Sequence, residues 1–362
     1  MTMTPTPTIP GEPVRFVASD GVPTAAGEAH GIDLDLARTL HRDMVLARRL
    51  DHEALALQRQ GELGLWLMSW GQEAAQAGSV RALRDGDHVF PSYREHVAAL
   101  VRGLTPAEIL AQWRGTVHGA WDPAEHRFHI NSLVLGSQTL HATGYAAGIA
   151  LDGTDEVVAV YFGDGAASQG DVNEAFNWAA AAALPVLFVC QNNQWAISTP
   201  TTRQMGTPVH RRAAGFGVHS RLVDGNDALA VHAVTRAAVE HVRSGAGPAL
   251  VEAVTYRRAG HSTSDDPGRY RESGEDAVWA QRDPIARLRT LLEARGTDAE
   301  VFAALAAEAD ELAVEVRRAC RALPEPDLAD LFGHAYARPH AQVEADRRTF
   351  LTHRAQLAEV GP

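Results

Sequence analysis

The sequence predicts an α/β fold, with a central, mostly parallel sheet, helices on both faces and a helical C-terminal region. Two observations support this prediction. Residues 156–162 and 186–190 are apolar runs typical of buried parallel strands, and a helical pattern at 172–183 connects them. Strand and helix patterns also alternate along the central part of the chain. A strand–helix–strand unit brings the carboxyl ends of its strands to one sheet edge, where such folds bind ligands.

The other elements are predicted from local patterns. Asp33 is expected to cap a long helix whose apolar residues recur every three or four positions until Gly61 ends it. The remaining predicted elements are, in chain order, a second helical region within 65–85 that begins near Gly71-Gln72-Glu73, a strand at 88–90, a helix of small residues at 136–150, and strands at 220–223 and 249–256.

Three regions are expected along the chain. Residues 1–30 are rich in Pro, Thr, Gly and Ala and are expected to form a flexible arm, disordered or lying on a neighbouring subunit. Residues 31–282 form the α/β domain. Residues 283–362 have a charged helical pattern and form a C-terminal helical region without catalytic residues.

Composition excludes several classes of protein. A net charge of −12, with dispersed arginines, argues against a nucleic-acid surface. Cys190 and Cys320 lie far apart, which excludes a disulfide framework and fits a reducing cytoplasm. No secretory signal is expected at the N-terminus. The longest apolar stretch, at 178–190, is too short to cross a membrane.

An acidic glycine turn, Gly163-Asp164-Gly165, follows the first of the two central strands, and Asn193 follows the second. Mg²⁺ prefers oxygen ligands, which the Asp164 carboxylate, the Asn193 amide and the backbone carbonyl of Trp195 can supply. The glycines allow a tight turn, and the next helix N-terminus offers N–H groups to an anion. The spacing therefore indicates a magnesium-diphosphate site.

Two other interpretations of this turn compete with the magnesium site. A dinucleotide fingerprint needs a third glycine where Ser168 stands, and an acidic residue after the next strand, where the chain has Gln191-Asn192-Asn193. The turn and the amides could also be ordinary loop residues, although their spacing and strand context argue against this.

Four segments, in this order, resemble the alpha subunits of two-chain 2-oxo acid dehydrogenases, which are thiamine-diphosphate enzymes. They are residues 70–74 (WGQEA), 87–96 (DHVFPSYREH), 163–200 with the magnesium motif and AISTP, and 256–266 (YRRAGHSTSDD). The resemblance runs from about Asp33 to the C-terminal helices. It implies a thiamine-diphosphate-binding fold, with thiamine diphosphate and Mg²⁺ as cofactors.

The resemblance also assigns roles to individual residues. His261 is implied to be catalytic, facing the thiazolium ring and the incoming lipoyl group, and Arg257 is implied to help order its loop. The residues implied to bind the cofactor are Tyr93, Arg94, Leu135, Gly163, Asp164, Gly165, Ala166, Asn193, Arg257 and His261. The competing interpretations are that Arg94 pairs with Glu95 and that His261 is one ordinary histidine among seventeen.

The segment 132–138 matches a part of the family that forms a potassium site in branched-chain enzymes. Ser132, Ser137 and Gln138 would then supply oxygens to K⁺, although hydroxyls at a helix start are also common caps. Ser262 and Ser264 match positions that a kinase phosphorylates in mitochondrial relatives. We do not expect that modification here.

The resemblance implies half of an active site. The glutamate that activates the aminopyrimidine comes from a different domain, so a beta subunit is expected in an α2β2 assembly, with the lipoyl domain of an acyltransferase core as a further partner. The loop His261-Ser-Thr-Ser-Asp-Asp266 favours branched-chain 2-oxo acids as substrates. Pyruvate, acetoin cleavage and a non-catalytic assembly subunit are the alternatives.

Overall fold

The computed structural model of the protein describes residues 11–117, 119–272, 274–326, 328, 330–333 and 335–360. Its main feature is a five-stranded sheet in which every neighbouring pair of strands is parallel. The strands are β1 (His88–Phe90), β2 (Val158–Gly163), β3 (Val186–Asn192), β4 (Trp195–Ala196), β5 (Thr199–Pro200), β6 (His219–Asp224) and β7 (Ala249–Val254). The sheet order is β1-β2-β3-β7-β6, and β4 and β5 form a separate antiparallel pair. The predicted fold class is confirmed.

Sixteen α-helices occur in the described residues. They are α1 (Ala25–His30), α2 (Leu34–Arg59), α3 (Glu73–Val80), α4 (His96–Val101), α5 (Pro106–Arg114), α6 (Pro123–His126), α7 (Ser137–Asp152), α8 (Gly170–Ala181), α9 (Thr201–Gln204), α10 (Val209–Gly215), α11 (Ala228–Arg243), α12 (Glu275–Ala280), α13 (Pro284–Ala294), α14 (Ala299–Ala322), α15 (Asp330–Gly333) and α16 (Ala341–Val360).

Alternate residues of the strands enter two separate hydrophobic cores. Tyr161 and Val189 pack in the core that includes residues of α2, α3 and α11. Phe162 and Phe188 pack in the other core, with residues of α7 and α8. Because successive side chains of a strand point to opposite faces, this division places helices on both sides of the sheet.

The long helix α2 agrees with its prediction. The Asp33 carboxylate accepts hydrogen bonds from the backbone N–H groups of Asp35 and Leu36, each at 3.0 Å, and Gly61 with φ +82° follows the helix end. The helix predicted to begin near Gly71-Gln72-Glu73 is α3, which starts at Glu73 but ends at Val80, before the predicted limit of 85. Gly71 adopts φ +94° and approaches the Tyr256 carbonyl so closely that a Cβ would lie 2.1 Å from that oxygen.

Residues 11–30 differ from the expected flexible arm, because they pack on the sheet edge of their own chain. Val14 forms a parallel bridge with Val223, and the backbone N–H groups of Phe16 and Val17 each donate to the Asp227 carboxylate at 2.7 Å. The buried Phe16 and Val17 side chains join the main core. Residues 1–10 of the expected arm lie outside the described residues.

The predicted boundary at residue 283 does not coincide with a boundary of the core. Helices α13 and α14 pack against α2, and their Leu291 and Val316 side chains are fully buried in the same core as Leu40. The Asp283 side chain caps α13 by accepting from two backbone N–H groups. The first part of the C-terminal region therefore stabilises the α/β domain directly.

Candidate active site

One cavity lies at the carboxyl ends of the strands, as the crossover connections predict. It is lined by Gln72, Ser92, Tyr93, Arg94, Glu95, Leu135, Gly163, Asp164, Gly165, Ala166, Gln191, Asn193, Trp195, Ala196, Ile197, Arg257 and His261. Every residue implied to bind the cofactor lines this cavity, and so does Trp195. The sheet thus brings together residues from the loops after β1, β2, β3 and β7.

Asp164 lies at the floor of the cavity, directly after β2, and is fully buried. Its carboxylate accepts hydrogen bonds from the Asn193 backbone N–H at 3.2 Å and from the Thr201 hydroxyl and Gln204 amide, each at 3.0 Å. Burial raises the pKa of Asp164, and these donors oppose that effect by stabilising the charged form. A carboxylate has about four acceptor positions, so one remains for a metal ion.

The other two predicted metal ligands lie in the loop after β3. The Asn193 amide oxygen accepts from the Trp195 N–H at 3.3 Å, and the Trp195 carbonyl accepts from Arg257 Nη1 at 3.0 Å. Each oxygen therefore retains one lone pair. No group of three His, Cys, Asp or Glu side chains that could hold a metal occurs in the described part of the chain, so amide and carbonyl oxygens would have to complete a metal site here.

The glycine turn allows this loop to approach the sheet edge. An added Cβ at Gly165 would lie 2.8 Å from the Ala196 Cβ, closer than side-chain atoms pack. Ala166 begins a short 3₁₀ turn, and α8 follows. A larger residue at 165 would push the Trp195–Ala196 strand away from Asp164.

The opposite wall of the cavity carries two buried arginines. Arg94 donates to the carbonyls of Met68 at 2.6 Å and His261 at 2.8 Å. Arg257 donates to the carbonyls of Trp195 and Ile197, at 3.0 and 2.8 Å. In the described residues, neither guanidinium forms an ion pair with a carboxylate.

Glu95 does not neutralise Arg94. Its carboxylate accepts from the Arg94 backbone N–H at 3.1 Å, from the Ser92 hydroxyl and from the Gln191 amide at 2.5 Å. The guanidinium of Arg94 points elsewhere. The wall therefore carries positive charge that an anionic ligand can neutralise.

Buried polar atoms without partners point to the same kind of ligand. Gln72 Nε2, Arg257 Nε and His261 Nδ1 are buried and have no hydrogen-bond partner in the structure. Each unpaired buried polar atom costs about 1–3 kcal/mol unless a ligand or water satisfies it. Gln72 Nε2 and Arg257 Nε can only donate and belong to residues that line the cavity, so a diphosphate group fits this wall by charge and by hydrogen bonding.

His261 lies at the side of the cavity in the loop after β7. Burial, followed by the charges of Arg94 and Arg257, lowers the pKa of His261 to about 4. Its backbone N–H donates to Asp265 at 2.6 Å, and its ring lies edge-on to Tyr93 with centroids 6.2 Å apart. The imidazole is therefore neutral near pH 7 and can accept a proton.

The loop that carries His261 is held by Arg271 and also by Arg257. Arg271 donates to the carbonyls of Arg257, Arg258 and Ala259, at 2.7 to 3.0 Å. Arg257 donates to the Tyr270 hydroxyl at 3.2 Å, and Tyr270 donates to the Asp265 carboxylate that accepts the His261 N–H. Arg257 also fixes the loop after β3. Arg257 thereby connects the cationic wall to the predicted metal ligand Trp195, whose carbonyl accepts from its Nη1.

Residues 41–325 match the family described as "Dehydrogenase E1 component". The chain belongs to this family. It is 43% identical over 350 residues to the 3-methyl-2-oxobutanoate dehydrogenase subunit alpha of Mycobacterium tuberculosis (strain ATCC 25618 / H37Rv), covering 96% of this chain and 95% of the relative. It is 39% identical over 266 residues to the pyruvate dehydrogenase E1 component subunit alpha of Staphylococcus aureus (strain N315), covering 73% and 72% of the two chains.

The Dehydrogenase E1 component family depends on thiamine diphosphate. The cavity fits that cofactor, because one wall has oxygen ligands for a metal and the other has unpaired donors for a diphosphate. Within the described residues, no helix is long and apolar enough to cross a membrane.

The residues implied to bind potassium lie outside the cavity lining. The Ser132 and Ser137 hydroxyl oxygens lie 2.8 Å apart and 3.1 and 2.9 Å from the Val134 carbonyl oxygen, so one hydroxyl can donate to that carbonyl while the other donates to its neighbour. Gln138 donates to the Tyr161 carbonyl at 2.9 Å, while its Oε1 is buried without a partner. These hydroxyls do not cap α7, whose N-cap is Gly136 and which has no side-chain cap hydrogen bond.

Several residues of the E1 site were not predicted. Gln72 lies in the segment 70–74, which resembles the family, but its distance in sequence from the magnesium motif did not predict that it lines the cavity. Thr201 and Gln204 hold Asp164 from just beyond the AISTP segment. Such supporting residues are found only once the chain is folded, because their partners lie tens of residues away.

Proposed function

We propose that this chain is the alpha subunit of a dehydrogenase that oxidatively decarboxylates branched-chain 2-oxo acids and transfers the acyl group to a lipoyl group. Identity of 43% over 96% of the chain to a 3-methyl-2-oxobutanoate dehydrogenase subunit alpha carries the substrate assignment. The two unlike walls of the cavity support the cofactor assignment.

The acidic wall would hold Mg²⁺. Asp164 supplies a carboxylate, Asn193 an amide oxygen and Trp195 a backbone carbonyl, while phosphate oxygens and water complete an octahedral shell. Thr201 and Gln204 orient the carboxylate by donating to its Oδ2. Gly163, Gly165 and Ala166, which also line the cavity, give the diphosphate close access to the backbone.

The cationic wall would hold the diphosphate itself. Arg94 and Arg257 supply charge, and the free donor of Gln72 adds a hydrogen bond. The Tyr93 hydroxyl is a further donor. Leu135, which is 37% exposed at the cavity lining, would pack against the organic part of the cofactor.

Thiamine diphosphate supplies a nucleophilic carbon and an electron sink for loss of CO₂ from a 2-oxo acid. The chain positions it and controls protons. Neutral His261 can accept a proton at its Nδ1, which has no partner in the structure, and return it during transfer of the acyl group to the lipoyl sulfur.

A partner beta chain would complete the site. The aminopyrimidine needs a carboxylate, but the two that line the cavity, Asp164 and Glu95, are already held by several donors each. Exposed apolar residues at and beside the lining, Leu133, Val134 and Ile197, offer a surface for such a partner. An α2β2 assembly that serves the lipoyl domain of an acyltransferase core follows from this proposal.

Two further assignments belong to the same proposal. The unpartnered Gln138 Oε1, beside Ser137, supports a K⁺ ion that would also recruit Ser132. The buried free thiols of Cys190 and Cys320 are compatible with a cytoplasmic location.

Pyruvate is the second candidate substrate, because the chain is 39% identical to a pyruvate dehydrogenase alpha subunit over 73% of its length. The test is to co-express the chain with the beta chain encoded beside it and to measure thiamine-dependent decarboxylation of 3-methyl-2-oxobutanoate and pyruvate. We expect a higher kcat/KM for the branched substrate. Equal or faster turnover of pyruvate would overturn the substrate assignment, and no turnover of either would overturn the function.

A further inference from the structure

Asp51 is a fully buried carboxylate on α2 that lies outside the cavity lining. It accepts hydrogen bonds from Trp66 Nε1 at 2.9 Å and from the Ser69 N–H and hydroxyl, each at 2.7 Å. Among the described residues no cation pairs with it. Burial raises the pKa of Asp51 to about 7, and these three hydrogen bonds to one loop oppose that rise by stabilising the carboxylate.

The loop that Asp51 holds, residues 65–72, touches both functional parts of the cationic wall. The Met68 carbonyl accepts from Arg94 Nη1 at 2.6 Å. Trp66 exchanges two hydrogen bonds with Thr263, two residues from His261: the Thr263 N–H donates to the Trp66 carbonyl at 3.0 Å, and the Trp66 N–H donates to the Thr263 hydroxyl at 3.2 Å.

Arg94 and the His261 loop are also joined to each other, because Arg94 Nη2 donates to the His261 carbonyl at 2.8 Å. The loop 65–72, Arg94 and the His261 loop therefore form a closed ring of hydrogen bonds. Asp51 holds the part of this ring formed by loop 65–72, through its hydrogen bonds to Trp66 and Ser69. Trp66 is fully buried and stacks on His96 with centroids 4.2 Å apart, so this side has little freedom to move.

We propose that Asp51 is a positioning residue of the active site, which holds loop 65–72 so that Arg94 and the His261 loop meet the cofactor's diphosphate. This inference rests on the proposed function. It extends the site by a residue that contacts neither cofactor nor substrate. Substitution of Asp51 by asparagine or alanine leaves the three donors of Trp66 and Ser69 without a carboxylate acceptor. Loop 65–72 then becomes less rigid, and Arg94 and His261 are held less firmly.

The test uses the chain assembled with its beta subunit and compares Asp51→Asn with the matched control Asp43→Asn. Asp43 lies two turns earlier on the same helix, is also buried, and binds Arg81 through two hydrogen bonds of 2.7 and 2.9 Å. Ser69→Ala, which removes one of the three donors, is a milder variant that serves if Asp51→Asn does not fold. The measurements are the melting temperature, kcat, and KM for thiamine diphosphate.

Both aspartate variants are expected to melt at lower temperature than the parent. Only Asp51→Asn is expected to raise the KM for thiamine diphosphate, by about tenfold, with Ser69→Ala in between and Asp43→Asn within about twofold of the parent. An unchanged KM in Asp51→Asn, or in Ser69→Ala if the former does not fold, overturns the inference. An equal rise in Asp43→Asn also overturns it. Failure of the proposed function differs, because the parent enzyme would then show no thiamine dependence.

Discussion

The two walls of the cavity differ in how completely their polar groups are satisfied. On the acidic wall, the Asp164 carboxylate accepts three hydrogen bonds from within the chain. On the cationic wall, Arg257 and His261 each keep a buried nitrogen without a partner, and no carboxylate neutralises Arg94 or Arg257 within the described residues. The acidic wall therefore has its metal-binding oxygen atoms already oriented, whereas the cationic wall has charge and polar atoms that only a bound anion would satisfy.

This difference indicates what is preorganised and what the ligand contributes. The acidic wall can fix the position of a metal before the cofactor binds, because its oxygen atoms are already oriented. On the cationic wall, burial of two guanidinium groups costs desolvation free energy. Burial, together with the charge of Arg94, lowers the pKa of Arg257 to about 10. A metal diphosphate satisfies both walls at once, whereas a free metal or a free phosphate satisfies one.

The largest expected effect comes from removing the charge of the acidic wall. Asp164→Ala should weaken Mg²⁺-dependent binding of thiamine diphosphate by about a thousandfold, because the metal loses its one carboxylate in a buried site. Titration of the assembled enzyme with cofactor at several Mg²⁺ concentrations measures this.

Asp87→Asn is the matched control for that variant. Asp87 is also buried and pairs with Arg243 at 2.7 Å, but it precedes β1 at the opposite end of the sheet. It should lower stability and leave the Mg²⁺ dependence unchanged. If Asp164→Ala keeps the parent's Mg²⁺ dependence, the acidic wall is not a metal site.

The next largest effect concerns proton transfer at the cationic wall. His261→Ala should slow acylation of the lipoyl domain by about a hundredfold, the lower range for general acid–base catalysis. Single-turnover acylation of lipoyl domain measures it. Acylation at the parent's rate would remove His261 from the mechanism.

The same residue gives a pH dependence with a defined sign. Because burial and the nearby arginines lower the pKa of His261 to about 4, from the ordinary histidine value of 6.5, the imidazole stays neutral down to about that pH in the free enzyme. Arg257→Gln removes a nearby positive charge and should move the pKa upward, so that kcat/KM begins to fall at higher pH. A pH profile that moves to lower pH in this variant would contradict the assignment.

A smaller effect is expected for the diphosphate donors. Arg94→Gln should raise the KM for thiamine diphosphate by about 10- to 100-fold without changing the Mg²⁺ concentration required, because charged hydrogen bonds contribute about 1.5–3 kcal/mol. Arg258→Gln is the control, since Arg258 is ion-paired with Asp276 and stacks on Trp70. Equal effects of both substitutions would mean that the cationic wall has no special relation to the diphosphate.

The acidic wall could be predicted from sequence better than the cationic wall. Asp164 and Asn193 follow consecutive strands joined by one helix, so the crossover rule alone brings them together. Tyr93 and Arg94 could be assigned only by resemblance, because they follow β1, which is separated from β2 by several helices. The neutral state of His261 also required the folded structure, since its lowered pKa depends first on burial and then on the charge of Arg94 from a distant segment and of Arg257 nearby.

The errors in the predicted elements have a common cause. Composition suggested a flexible arm before α2 and a separate helical region after residue 283, yet Phe16 and Leu291 are both buried in the main core. Such segments have a low average hydrophobicity, so their packing against the core cannot be predicted from composition when only a few apolar residues, such as Phe16, are buried. The hydrogen bonds of loop 65–72 were not predicted, because bonds to distant partners leave no periodic pattern in the sequence.

The smallest expected effect tests how the acidic wall keeps its loop in place. Gln194, between the two predicted metal ligands of that loop, adopts φ +74°, which favours glycine. Its side chain donates weakly to Asn192, at 3.2 and 3.3 Å, and does not line the cavity. Gln194→Gly should therefore be more stable than Gln194→Ala by about 1 kcal/mol, as measured by chemical denaturation.

Both variants should keep cofactor affinity within about twofold, because only the backbone of Trp195 is needed. If alanine is as stable as glycine, the left-handed turn does not position the Trp195 carbonyl, and the acidic wall is less preorganised than its hydrogen bonds indicate.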